Sequence, residues 1–312
     1  MILFCGIPSE SPMQAAIEAA DSLGVDHAVF NQRESQLSDI SIRVEAGKLD
    51  GILRIRERDI PLGSIRGVFL RLMDYWDLPE NKPRGKWSPV STGTVRSGVL
   101  HASVIDWLEV SGCRVLNRPS SIASNMSKPY QARRIRQVGF GVPETMITND
   151  PETVCVFKRR HRRVIYKSTS SVRSVVQELD DDRAHELEQV RDLPTQFQEY
   201  IPGTNVRVHT VGRRLVATEV QSEAVDYRYV SGQGGGVTLK PCKLPPSVAD
   251  RCIELSRALD LPFSGIDLKR TPDNEYYCLE VNPSPAYTYY QEHTGQPIAV
   301  AVVDYLVNGA SA

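Results

Sequence analysis

The chain has 312 residues, 41% hydrophobic and 24% charged, with 37 Lys and Arg against 38 Asp and Glu for a formal net charge of −1. That length is more than one core comfortably holds, so two or three packed units are expected, and the composition excludes a disordered or fibrous chain. The balanced charge excludes a global nucleic-acid footprint, and no apolar run reaches the ~20 residues of a membrane-spanning helix.

The opening Met1-Ile2-Leu3-Phe4-Cys5-Gly6 lacks the basic region of a signal peptide, so a cytoplasmic protein is expected, without nucleic acid or membrane as partner. The six cysteines (Cys5, Cys113, Cys155, Cys242, Cys252, Cys278) form no C-x-x-C pair and no Cys/His ligand spacing. They read as reduced structural thiols.

In chain order, an apolar strand is expected over 2–5, a turn at Gly6-Ile7-Pro8, a helix through 13–20 and a strand over 26–30. This is a β-α-β rhythm. Further strands are expected at 42–44, 51–55 and 67–72, a helix over about 98–110, and a strand at 114–116. An N-terminal α/β unit, a small sheet flanked by helices, is therefore expected over 1–116. The stretch 81–97, rich in Pro, Gly, Ser and basic residues and carrying Trp87, reads as an exposed loop, either a lid or a connector.

The character changes at Asn117-Arg118-Pro119. A helix over about 128–138 stops at Gly139, and strands are expected at 153–157 and 164–168. The basic turn Lys158-Arg159-Arg160-His161-Arg162-Arg163 would join them as a solvated hairpin tip, with an anionic partner as the alternative. The acidic stretch 175–193 is helical or loop-like, 196–200 a strand, and 206–217 alternates like a β-hairpin. After the cluster Gly232-Gln233-Gly234-Gly235-Gly236, a helix spans about 246–259, with Val248, Cys252, Leu255 and Leu259 as its core stripe.

The strongest chemical signal follows. Phe263-Ser264-Gly265-Ile266-Asp267-Leu268-Lys269 and Tyr276-Tyr277-Cys278-Leu279-Glu280-Val281-Asn282-Pro283 read as adjacent strands joined by the polar turn Thr271-Pro272-Asp273-Asn274-Glu275. Alternate residues of a strand share a face, so Glu280 and Asn282 point together and Asp267 meets them across the hairpin. Two carboxylates and an amide oxygen at one spot repel unless a cation joins them, and a hard oxygen set suits Mg²⁺, with Mn²⁺ as the alternative. The competing reading is an ordinary hairpin with solvent-facing acids. The apolar neighbours Ile266, Leu268, Leu279 and Val281 argue against it, because an unpaired buried carboxylate is costly.

Gly265-Ile266-Asp267 followed by Leu279-Glu280-Val281-Asn282-Pro283-Ser284-Pro285 resembles the metal-binding end of ATP-grasp enzymes of the RimK type, which are similar in turn to microviridin-type peptide ligases. The resemblance covers roughly residue 117 to the C-terminus. It implies an α/β ATP-grasp fold behind an N-terminal Rossmann-like pre-ATP-grasp domain, with a small lid subdomain over 117–200 and a metal and substrate subdomain over 201–312.

It also implies roles. Gln198, Glu199, Tyr200 and Ile201 resemble the hinge that holds adenine. Lys167 resembles the lysine on the α- and β-phosphates, and Lys128 an earlier phosphate lysine. Asn205 stands where the family has a ribose-contacting Asp, and Arg207 matches the arginine two residues on, which the resemblance makes a catalytic candidate together with Arg228; alone, Arg207 reads equally as a paired hairpin arginine. Arg228 resembles the arginine on the terminal phosphate, ahead of the glycine-rich segment. Where the family often has glycines after the phosphate lysine, this chain has Ser168-Thr169-Ser170-Ser171-Val172-Arg173.

The implied activity is an ATP-dependent carboxylate–amine ligase working through an acyl phosphate on peptide or amino-acid substrates, with ATP and Mg²⁺ as cofactors. The aromatic run Tyr287-Thr288-Tyr289-Tyr290 either lines the acceptor pocket or packs. Competing readings are an ester-forming or macrocyclising peptide-modifying ligase and a non-catalytic ATP-binding regulatory protein. A homo-oligomer is compatible with the sequence, and a basic nucleic-acid binder built on 158–163 is disfavoured by the isolation of that patch.

Overall fold

The computed structural model describes residues 1–82, 90–168, 176–221 and 236–309. Arg228, residues 169–173, most of the glycine cluster and Trp87 lie outside them.

Strand β1 (Ile2–Gly6), helix α1 (Ser11–Ser22) and strand β2 (His27–Asn31) form the expected β-α-β unit. The rhythm then breaks. Strands β3 (Ser38–Glu45), β4 (Lys48–Ile55) and β5 (Arg58–Pro61) make their own antiparallel sheet, which local hairpins close without a helix. Strand β6 (Gly67–Arg71) returns to the first sheet, helix α2 (Thr92–Val110) crosses over, and β7 (Arg114–Leu116) completes a parallel sheet of order β2-β1-β6-β7. Alternation decides its faces: Leu3 and Cys5 pack with Val104 and Trp107 of α2, while Ile2 and Phe4 pack with Met13 and Ala16 of α1. Helix α2 starts at Thr92, where Ser91 accepts the Thr94 N–H, so the expected loop ends earlier than 97.

Short helix α3 (Pro119–Ser124) and α4 (Lys128–Gln137) lead to β8 (Thr145–Thr148). The segment expected as a strand at 153–157 is helical, within α5 (Pro151–Arg160). Asp150 caps it by accepting from the Glu152 and Thr153 N–H groups, Pro151 fits the first turn, and Lys158, Arg159 and Arg160 sit in the last turn, where the helix dipole favours cations. These terminal signals outweigh the β-branched residues between them. The basic run is thus a helix end and its exit, with Arg160 and His161 on Glu144 and Arg163 on Glu178.

Strands β9 (Val164–Ser168), β10 (Gln177–Glu178) and β11 (Thr195–Glu199) join β8 in a sheet of order β10-β9-β11-β8, with a 3₁₀ segment at Asp181–Asp192. The large sheet follows: β12 (Thr204–Val211), β13 (Arg214–Gln221), β14 (Thr238–Cys242), then helix α6 (Pro246–Ala258), β15 (Phe263–Arg270) and β16 (Tyr276–Asn282), in the order β14-β13-β12-β15-β16. The expected α6 stripe, Val248, Cys252, Leu255 and Leu259, is buried against Val206, Val208, Ile266 and Leu268.

The chain closes with α7 (Thr288–Thr294) and α8 (Ile298–Asn308). Val302, Val303 and Leu306 of α8 share one core with Ile2, Phe4 and Phe69 of the parallel sheet and with Val211 and Phe263 of the large one. Among the described residues no helix is long and apolar enough to cross a membrane.

Candidate active site

The hairpin β15–β16 forms as expected, turning at Asn274 in the left-handed region (φ 61°). Asp267 pairs directly with Glu280 and Gly265 with Asn282. One detail escapes strict alternation: the register slips between Asp267 and Leu268, leaving Leu279 as an extra residue. Such a bulge re-aims side chains, so Cys278 and Val281 stay in the core while Leu279 and Glu280 both turn outward.

Leu279 thereby becomes a wall of a cavity of about 300 Å³. Its other walls come from three elements: Ala132 and Ile135 of α4, Ile147 of β8, and Gln196 and Gln198 of β11, with Val142 between. Lys128 and Lys167 line it too. Apolar walls and two cations make a slot for a flat apolar group with an anionic tail.

Glu280 collects both lysines. Lys128 Nζ contacts Glu280 Oε1, and Lys167 Nζ lies 3.6 Å from Oε2. Lys128 reaches there because Gln131, one turn along α4, grips β16: its amide donates to the Val281 carbonyl at 2.6 Å and accepts from the Val281 N–H at 3.2 Å. Lys167 arrives from the facing sheet. The expected metal carboxylate and phosphate lysines therefore meet at one point.

Asp267 has its own cation, since Arg207 Nη1 lies 2.8 Å from its Oδ1. Arg207 is only 6% exposed and its guanidinium occupies the space above Gly265, where an added Cβ would stand 2.1 Å from Arg207 Nη2. Tyr290 lies beneath it, ring centroid 5.7 Å from the guanidinium carbon. Asn282 accepts from the Ser284 N–H at 2.8 Å through Oδ1, an oxygen with a second lone pair. Three hard oxygen donors on two adjacent strands fit a divalent cation of the Mg²⁺ type, which takes one or two carboxylates and fills its remaining positions with water and phosphate oxygens. Among the described residues no three His, Cys, Asp or Glu side chains converge.

The expected hinge is partly engaged already. The Glu199 N–H donates to the Glu144 carbonyl (2.9 Å) and the Tyr200 N–H to the Arg163 carbonyl (3.1 Å). Ile201, the last residue of this stretch, is buried. Asn205, expected beside ribose, accepts from Lys269 Nζ at 3.0 Å. Lys269 packs near the Tyr200 ring, and burial, followed by the charge of Arg163, pulls its pKa down. Tyr287 is buried and donates to the Pro12 carbonyl, so it packs.

Sequence reasoning misses Gln131, Lys269 and His209. The last is fully buried, with Nε2 3.4 Å from Arg207 Nε and a pKa driven far below its ordinary value by burial and by Arg207. The folded protein keeps it neutral while the unfolded chain takes up a proton below about pH 6.5. Stability is therefore expected to be intact above that pH and to fall by up to about 1.4 kcal/mol per pH unit below it. Denaturant titrations at pH 7.5 and 5.5 measure this slope, and His209→Phe should reduce it, leaving the share of His101, whose pKa burial also lowers.

The family profile of the RimK-like ATP-grasp domain matches residues 134–306. N-acetylaspartylglutamate synthase A of Mus musculus is 25% identical over 231 residues, which cover 70% of this chain and 60% of that protein, so the match spans under two thirds of its length. The "Probable alpha-L-glutamate ligase 2" of Pseudoalteromonas atlantica is 24% identical over 82% of this chain and 91% of its own. The ATP-grasp ligase PsnB, solved with a phosphomimetic variant of its minimal precursor, Mg and ADP, superposes with a TM-score of 0.80 at 21% identity, covering 99% of this chain and 98% of that one. The fold is that of the ATP-grasp ligases.

Proposed function

Because this chain belongs to the RimK-like ATP-grasp family, we propose that it is an ATP-dependent ligase joining a carboxylate to an amine on a peptide or amino-acid substrate. The convergence of Lys128 and Lys167 on Glu280, at the edge of an apolar-walled cavity and beside Asp267, carries this reading.

In the proposed reaction a substrate carboxylate oxygen attacks the terminal phosphorus of ATP, the bond to ADP breaks, and an acyl phosphate forms. The amine nitrogen then attacks the acyl carbon, phosphate leaves with the former carboxylate oxygen, and the amine gives up a proton. Lys128 and Lys167 release Glu280 and hold phosphate oxygens; Arg207 keeps Asp267 in place; the walls at Ala132, Ile135 and Leu279 exclude water from the base. Asp267, Glu280 and Asn282 would hold Mg²⁺, or Mn²⁺ in its stead, which would supply charge neutralisation at the phosphates. No protein nucleophile is needed. Arg228 on the terminal phosphate and the assignment of the cytoplasm belong to the same proposal.

A carboxylate labelled with ¹⁸O tests the route. One labelled oxygen should appear in the released phosphate, with ADP as the nucleotide product, when amine acceptors are supplied. Hydroxyl acceptors offered in parallel separate amide from ester formation. AMP as product, or unlabelled phosphate alongside a ligated product, would overturn the acyl-phosphate route, and nucleotide binding without turnover would favour a regulatory role.

A further inference from the structure

We propose that His209 is a positioning residue, a buried imidazole that presents its bare Nε2 to Arg207 and thereby aims the Arg207 guanidinium at Asp267. The inference rests on the assignment of Asp267 to the cation site.

Four observations carry it. Arg207 Nε, a donor with no acceptor capacity, points at His209 Nε2, so that nitrogen must be unprotonated and the ring proton must sit on Nδ1. Nδ1 is buried and has no hydrogen-bond partner among the described residues. A structural histidine would have both nitrogens satisfied; this one carries the desolvation cost of a stranded N–H and keeps an acceptor facing Arg207. Third, Tyr290 fixes the ring edge-on, with centroids 5.0 Å apart, while also lying under Arg207. Fourth, Gly265 leaves room for the guanidinium where any Cβ would collide with it. Floor, rear support and clearance all point Arg207 Nη1 at Asp267 Oδ1.

A support of this kind acts on cation affinity through the ligand it orients. Loss of such an outer partner typically costs 10–100-fold in metal binding. His209→Phe keeps the ring and removes both the acceptor and the stranded N–H. It should therefore melt near the wild-type temperature, the relieved His209 N–H offsetting the unmet Arg207 Nε–H, and yet bind the cation about tenfold more weakly or worse. His209→Gln, which can place an amide oxygen near the lost Nε2, should recover most of that affinity.

Mn²⁺ titration of the ADP-loaded full chain, followed by electron paramagnetic resonance, measures the cation Kd, and the ¹⁵N–¹H signal of Arg207 Nε reads the contact itself. In the wild type that signal should be protected from exchange; in His209→Phe protection should be lost. Unchanged Mn²⁺ affinity in His209→Phe overturns the proposal, as does equal protection of Arg207 Nε in both proteins. A wild type that binds no Mn²⁺ but shows the protected signal sinks the cation assignment instead, leaving His209 as the support of Arg207.

Discussion

Glu280→Gln is expected to lower acceptor-dependent ADP release by at least about 10²–10³-fold, the rate equivalent of losing several kcal/mol of charge stabilisation at the phosphates. The same change should act in the opposite direction on nucleotide without metal. Glu280 now holds Lys128 and Lys167; a neutral amide weakens its hold on both and removes a negative charge facing the phosphates. Calorimetry with ATP in the presence of a chelator should show affinity equal to or tighter than wild type, while the gain on adding Mg²⁺ disappears. Wild-type turnover in the variant would sink the metal assignment, and weaker chelated binding would show that Glu280 does not restrain the lysines.

The second large effect concerns stability. Asn117, 2% exposed, donates to the carbonyls of Phe263 (2.5 Å) and Pro283 (2.6 Å) and accepts from the Phe263 N–H (3.0 Å). One side chain thus ties the entry of β15 to the exit of β16, on either side of the carboxylate pair. Asn117→Ala strands three backbone groups, each worth about 1–3 kcal/mol when unmet, so a loss of about 3–5 kcal/mol is expected. In a chain of this size that lowers Tm by on the order of 10 °C. Scanning calorimetry reads it; a loss below about 1 kcal/mol would mean that water or rearrangement replaces the clamp.

Much of the site is legible in the order of the amino acids. Asp267 and Glu280 can be paired because alternation and a polar turn put them opposite each other, and that pairing is observed. The bulge at Leu279 cannot, since one extra residue leaves no compositional trace. Nor can the cavity, whose walls at Ala132, Ile135, Ile147 and Leu279 come from elements far apart in the chain. The helix at Pro151–Arg160 reads as a strand at 153–157 when Val154 and Val156 are weighed alone, although its Asp150-Pro151 start and basic end are visible too. Terminal signals outrank local β-propensity there. His209 escapes notice because its role depends on Arg207 and Tyr290, and only the large sheet and α7 bring the three together.

Helix α8 lies in the core that also holds Ile2, Phe4 and Phe69. During synthesis, β1, β2, β6 and β7 emerge from the ribosome long before the apolar residues that cover one of their faces. Domains whose contacts are local can fold as they appear. Here α1 is available early to cover part of that face, and the strip that α8 shares with it stays uncovered until Ile298–Asn308 has left the exit tunnel. Ribosome stalling anywhere before residue 298 should therefore hold the nascent N-terminal sheet in a chaperone-dependent state.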